Sequence, residues 1–158
     1  MVILNFLLDL VTNSALVVPI VSWLIAQILK TLINAAVNKT FNLSRLIGDG
    51  GMPSAHSATV MSLAVTVGVE AGFNSHLFAL AMIFAIVVMH DALGVRRETG
   101  KQAVSILQMV EIINNYIVEK DEEIKVEKLK VLVGHTPLQV VAGAILGGVI
   151  AIIYTLIF

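Results

Sequence analysis

Two histidines stand in chemically dense surroundings. His56 lies in Gly50-Gly51-Met52-Pro53-Ser54-Ala55-His56-Ser57-Ala58, where small residues, a proline and hydroxyls crowd between two apolar stretches. His135 follows Gly134 at the head of the last apolar stretch. Lys30, Arg45, Arg96 and Arg97 flank the same boundaries between polar and apolar chain. Two imidazoles among fixed cations suit phosphoryl transfer. One imidazole can attack phosphorus and form a covalent phosphohistidine. The other can protonate the leaving oxygen and later activate water. Lysine and arginine can hold the phosphoryl oxygens, arginine in a bidentate manner. Backbone N–H groups at a helix start after Pro53 add an anion site. The glycines at 50 and 51 let such N–H groups come close to an anion. A di-histidine metal centre is the rival chemistry. No carboxylate doublet of ligand type lies near His56 or His135 in sequence, so the expectation is a site without metal or cofactor.

The elements that carry these residues are apolar. Hydrophobic residues make up 58% of the chain and charged residues 13%, against about 25% charged in a soluble domain. That composition predicts an integral membrane protein, and 158 residues suit one domain, 1–158. A net charge of −1 without a basic stripe excludes a nucleic-acid-binding surface. The absence of cysteine excludes disulfides, thiolate metal sites and a cysteine nucleophile. The first residues, Met1-Val2-Ile3-Leu4-Asn5, carry no basic start, so no removable signal peptide is expected.

The predicted fold is all-α: a polytopic membrane helical bundle of about four spans with short interfacial and cytoplasmic helices. Residues 2–11 are apolar but short and hold Asp9, which suits an interfacial segment. Residues 14–37 would reach about 36 Å at ~1.5 Å per residue, enough to cross a core of about 30 Å. Residues 53–72 and 75–93 form an antiparallel pair around a tight link at Gly72-Phe73-Asn74, and 137–158 form the last span. Between the third and fourth spans a helical arm is expected over about 98–133. Its apolar residues Ile106, Met109, Val110, Ile113 and Ile117 recur at three and four, and its charges alternate over 119–130. Gly143 and Gly147 give the last span a small-residue face, suited to packing within the chain or to a homodimer.

Lysine and arginine settle the orientation. They follow the first span and the third, while the 72–75 link and the C-terminus carry none. With both basic regions in the cytoplasm, four spans leave both termini outside. Lys30, Arg45, His56, His90, Asp91, Arg96, Arg97 and His135 then share the cytoplasmic face, and His76 lies at the opposite one.

These residues resemble a known family. Pro53-Ser54-Ala55-His56 resembles the Pro-Ser-Gly-His motif of the type 2 phosphatidic acid phosphatase superfamily, which includes vanadium-dependent haloperoxidases. Gly134-His135-Thr136-Pro137-Leu138-Gln139-Val140-Val141-Ala142-Gly143 resembles that superfamily's final motif, a histidine followed by an aspartate and then Val-x-Ala-Gly. Asp49 to Ala58, then Asp91-Ala92-x-Gly94-Val95-Arg96-Arg97, then Gly134-His135 together resemble a divergent branch of small bacterial and plant membrane proteins. The resemblance covers essentially the whole chain.

It implies roles. His135 matches the nucleophile, His56 the general acid and Ser54 a phosphate-binding position. Arg96 or Arg97 matches the family's arginine beside phosphate. Lys30 is the candidate for the first-motif lysine, with Arg45 and Gly51 as further phosphate contacts. The family's seven-residue spacing after that lysine is not reproduced, since Val37 stands there. Gln139 occupies the place of the aspartate that orients the nucleophile, so Asp91, or else Asp49, is expected to supply a carboxylate. The implied activity is hydrolysis of a lipid phosphomonoester or pyrophosphate, with a phospholipid or polyprenyl phosphate as substrate. Phosphatidylglycerophosphate is the first expectation, isoprenyl pyrophosphate and phosphatidic acid the next. The alternative is a catalytically degenerate protein that binds a phospholipid or a partner; a small transporter or lipid-moving scaffold is a third.

Overall fold

The computed structural model describes residues 1–39, 51–117 and 134–158. Among those residues the chain forms six helices and no strand. They are α1 (Val2–Thr12), α2 (Ser14–Asn38), α3 (Ala55–Ala71), α4 (His76–Leu93), α5 (Val95–Ile117) and α6 (Pro137–Ile157). Arg45 and Asp49, and the alternating charges expected over 119–130, lie outside the described residues. The fold is an all-α membrane bundle, as its sequence predicts.

The helices end where local chemistry ends them. Ser54, Ser75 and Thr136 cap α3, α4 and α6 by accepting backbone N–H groups. Lys39 closes α2 in the left-handed region at φ 52°. Gly72, at φ 91°, turns the chain from α3 into α4. Phe73 and Phe78 stack edge to face across that turn with ring centres 5.1 Å apart.

By length and composition, three stretches can cross a membrane: Ser14–Asn38, the apolar run beginning at His76, and Pro137–Ile157. The 11 residues of α1 reach only about 17 Å and none is buried, so α1 is too short to cross. The 17 residues of α3 reach about 25 Å, and α3 is the centre of the bundle, packed by α2, α4 and α6. Its ends are tied to the same helix. The Ser14 hydroxyl at the start of α2 bonds Glu70 at the end of α3. At the other end Gly51 lies against the Lys30 stem of α2. Thus α3 runs antiparallel to α2 from Lys30 back to Ser14.

The interior is built of small residues. Ala26, Ala58, Ala64, Ala85 and Ala151 are fully buried, with Ser54, Ser57 and Ser62 beside them. Large apolar side chains such as Leu24, Ile28, Leu80, Ile83, Ile145 and Ile152 point outward. This inversion suits a bundle in lipid. Hydrocarbon gives apolar helices no reason to associate, so close backbone approach and van der Waals contact must hold them. The tightest approach joins α6 to α3. A Cβ added at Gly143 would run into the carbonyl of Ser54, and one at Gly147 into that of Ala58. The pairs 143 with 54 and 147 with 58 ascend together, so α3 and α6 are parallel and start at the same end. The small-residue face of α6 is therefore occupied within the chain.

That contact is directly testable by substitution. Gly147→Ala must push α6 off the backbone of α3 and should destabilise by about 1–3 kcal/mol, the usual cost of overpacking. Gly148 has nothing within 4 Å of an added Cβ, so Gly148→Ala should be neutral or slightly stabilising. Thermal unfolding of the two variants in detergent compares them; equal melting temperatures would contradict the packing.

Candidate active site

Parallel α3 and α6 bring two helix N-termini together. Each contributes the positive end of a helix dipole, an arrangement that attracts an anion. The same end receives the C-terminal turns of α2 and α4, which run antiparallel to α3. His56 is the second residue of α3 and is half-buried. His135 lies just before the Thr136 cap of α6 and is only 4% exposed. Its backbone N–H donates to the carbonyl of Ala92 in α4 at 3.2 Å. The two imidazole centres are 6.3 Å apart and their planes meet at 62°. The fold thus brings together two histidines that lie far apart in sequence.

Gln139 holds the His135 ring. Its Oε1 lies 3.2 Å from His135 Nδ1 and accepts the Thr136 backbone N–H at 3.0 Å. The Thr136 hydroxyl in turn accepts the Gln139 N–H at 3.4 Å, completing a reciprocal capping box. A backbone N–H can only donate, so the atom facing it is the amide oxygen. A carbonyl oxygen can only accept, so His135 must present a proton on Nδ1. In the neutral ring the lone pair then resides on Nε2. The glutamine therefore does the orienting part of an aspartate's work without its charge.

Asp91 has a different partner. Its Oδ2 accepts from Arg96 Nε at 2.7 Å, with both side chains about two-fifths exposed. Arg96 and Arg97 thus have separate settings. Arg96 is tied to Asp91, while the Arg97 side chain is exposed and its backbone is packed against Gly134. A side chain at 134 would overlap the Arg97 backbone, so glycine is required directly before His135. The start of α5 in this way buttresses the turn that carries His135.

Lys30 is buried at 5% exposure and its methylene stem rests on Gly51, whose φ is 94°. A cavity of about 160 Å³ adjoins them, lined also by Asn34, Asn38 and Met52. Ser54 is fully buried. Its Oγ accepts the Ser57 N–H at 3.3 Å and the Ser57 hydroxyl at 3.0 Å, while its own N–H donates to the Gln139 carbonyl at 3.0 Å. It ties α3 to α6 as well as capping α3. His90 is exposed in the last turn of α4, and His76 starts α4 at the far end of the bundle. Among the described residues no three histidine, aspartate or glutamate side chains converge on one ion position.

The capping box is the functional feature that sequence reasoning passed over. Its signal is present as Thr136-x-x-Gln139 before an apolar run. The Ala92 carbonyl that holds the His135 N–H has no sequence signal at all.

A family described as the Divergent PAP2 family matches residues 11–150. The uncharacterized membrane protein YuiD of Bacillus subtilis (strain 168) is 38% identical over 157 residues, spanning 96% of this chain and 99% of that protein. No solved structure matches significantly.

The tautomer of His135 follows from the two bonds to Gln139. Nitrogen-15 correlation spectra of imidazole-labelled protein should show His135 protonated on Nδ1 under conditions where the ring is neutral. Gln139→Ala should release that preference. A ring protonated on Nε2 alone would contradict the arrangement.

Proposed function

The chain belongs to the Divergent PAP2 family, and from that membership we propose that it is a metal-independent lipid phosphatase acting at the cytoplasmic membrane surface. The observation that carries the proposal is the pair His56 and His135, 6.3 Å apart where two helices begin side by side. That separation leaves room for one phosphoryl group between the rings, with reacting atoms at the ~3–3.5 Å of a near-attack arrangement.

The reaction divides into two steps. His135 Nε2 donates its lone pair to phosphorus while the bond from phosphorus to the lipid oxygen breaks. His56 gives its proton to that oxygen, and the lipid alcohol leaves a phosphohistidine behind. His56, now a base, takes a proton from water as the water oxygen attacks phosphorus. The N–P bond breaks and inorganic phosphate departs. The positive ends of the α3 and α6 helix dipoles offset the charge that builds on the phosphoryl oxygens. Arg96 spends Nε on Asp91, which leaves its terminal nitrogens for phosphate; Asp91 is then a positioning residue. Lys30 serves as a second cation beside Gly51, with Arg45 and Arg97 as outer contacts. In this reading α3 is the fourth membrane crossing, because its ends match the depth of α2 from Ser14 to Lys30.

A site between apolar helices favours a lipid over a soluble ester, and a cytoplasmic site favours a lipid made there. Phosphatidylglycerophosphate is the preferred substrate, with isoprenyl pyrophosphate and phosphatidic acid after it. The second reading is a family member that binds phospholipid without turnover. Gln139 supports it, since an amide cannot offset the positive charge of a phosphorylated imidazole ring.

Phosphate release from the three lipids by purified protein, with chelator and with added divalent cations, separates the two readings. The enzyme reading expects release in chelator, none from His135→Ala, and a loss of about 10²–10⁴ in rate for His56→Ala, the usual contribution of general acid–base catalysis. No release from any of the three lipids under either condition would leave the binding reading.

A further inference from the structure

Among the described residues an open seam lies between α4 and α6. Of the helix pairs in contact, α4 and α6 make the sparsest pairing. Between them runs a groove of about 420 Å³, lined by Ile86, Met89 and Leu93 of α4 and Val140, Val141 and Ala144 of α6. Its floor is closed by Val140, which is 4% exposed, whereas Ile86 and Val141 are half exposed and leave the outer side open. The lining is apolar except at one place, His90 in the last turn of α4.

The upper lining of this groove is next in sequence to the residues that hold His135. Leu93 follows Ala92, whose carbonyl holds the His135 N–H, and Val140 follows Gln139, which holds the His135 ring. From that level the groove descends along two helices that run with the bundle axis, the direction of a hydrocarbon chain in a bilayer. Its shape and chemistry therefore match an amphiphile. The apolar length takes a tail, and the upper end meets His90, whose imidazole suits an anionic head. Pockets of this size and lining commonly hold drug-sized apolar ligands.

We infer that the groove between α4 and α6 binds one hydrocarbon tail of an anionic phosphomonoester lipid whose headgroup lies between His56 and His135. The identity of the headgroup site rests on the phosphatase reading; the tail site rests on the groove.

Photo-crosslinking with full-length protein in phosphatidylcholine vesicles tests this. The probes are phosphatidic acid and phosphatidylcholine that carry a diazirine in one acyl tail, with adducts mapped by mass spectrometry. The phosphatidic acid probe should label residues of the groove, and the phosphatidylcholine probe should do so several-fold less. Ala144→Phe fills the groove, and Val141→Trp does so from a more exposed position that the fold tolerates better. Each should reduce phosphatidic acid labelling several-fold. In parallel, each should lower kcat/KM for long-chain phosphatidic acid by about tenfold, as expected for loss of an apolar pocket contact, and leave a short-chain, water-soluble phosphatidic acid unchanged. Equal labelling by the two probes would mean an ordinary lipid shell and overturn the inference. So would adducts on another face, or an equal fall with both chain lengths. Selective groove labelling by a protein that releases no phosphate would uphold the tail site and overturn the phosphatase reading alone.

Discussion

Everything at the candidate site depends on the contact of α6 with α3. In hydrocarbon, helices gain little from burying apolar surface, and their register must come from shape. Gly143 and Gly147 supply that shape by letting α6 rest on the backbone of α3 at Ser54 and Ala58. The Ser54 N–H to the Gln139 carbonyl pins the same register with a hydrogen bond. Once the two helices are parallel and level, their first turns are neighbours. His56 and His135 are carried to one place by that fact, together with the positive ends of two helix dipoles.

The first turn of α6 shows how few residues the site uses. Thr136 and Gln139 satisfy two backbone donors that would otherwise be left at a helix start. The same Gln139 oxygen fixes the ring of His135, and the same residue's carbonyl receives Ser54 from α3. Cap, ring orientation and helix register are therefore one unit. A substitution at 139 acts on all three, and stability must be measured beside activity when the position is changed. The opposite wall is built with equal economy. Gly134 admits the Arg97 backbone, Ala92 holds the His135 N–H, and Asp91 one position earlier holds Arg96.

Much of the scaffold was legible in the sequence because apolar runs end at glycine, proline and capping hydroxyls. The expected segments 14–37 and 75–93 correspond to α2 and α4 within a residue, and 137–158 corresponds to α6. The segment expected at 53–72 is helical from Ala55 to Ala71, since Pro53 and Ser54 form the approach and cap. The pairing of the two histidines was anticipated through motif resemblance and topology. Their geometry was not, because nothing in a linear pattern states that 143 meets 54 and 147 meets 58. The partner of Asp91 was hidden for a similar reason: it reaches Arg96 across the Gly94 break between two helices. The groove beside α4 is a property of two helices that hardly touch, and no single segment records it. Arg45 and Asp49 lie outside the described residues.

The central claim is that His135 becomes covalently phosphorylated during turnover. Purified protein would be mixed with a lipid substrate radiolabelled in its terminal phosphate, quenched in base, digested, and mapped by mass spectrometry. The account predicts label on His135 that survives base and is lost in acid, absent from His135→Ala. Steady hydrolysis with no label on His135, or label on another residue, would contradict it.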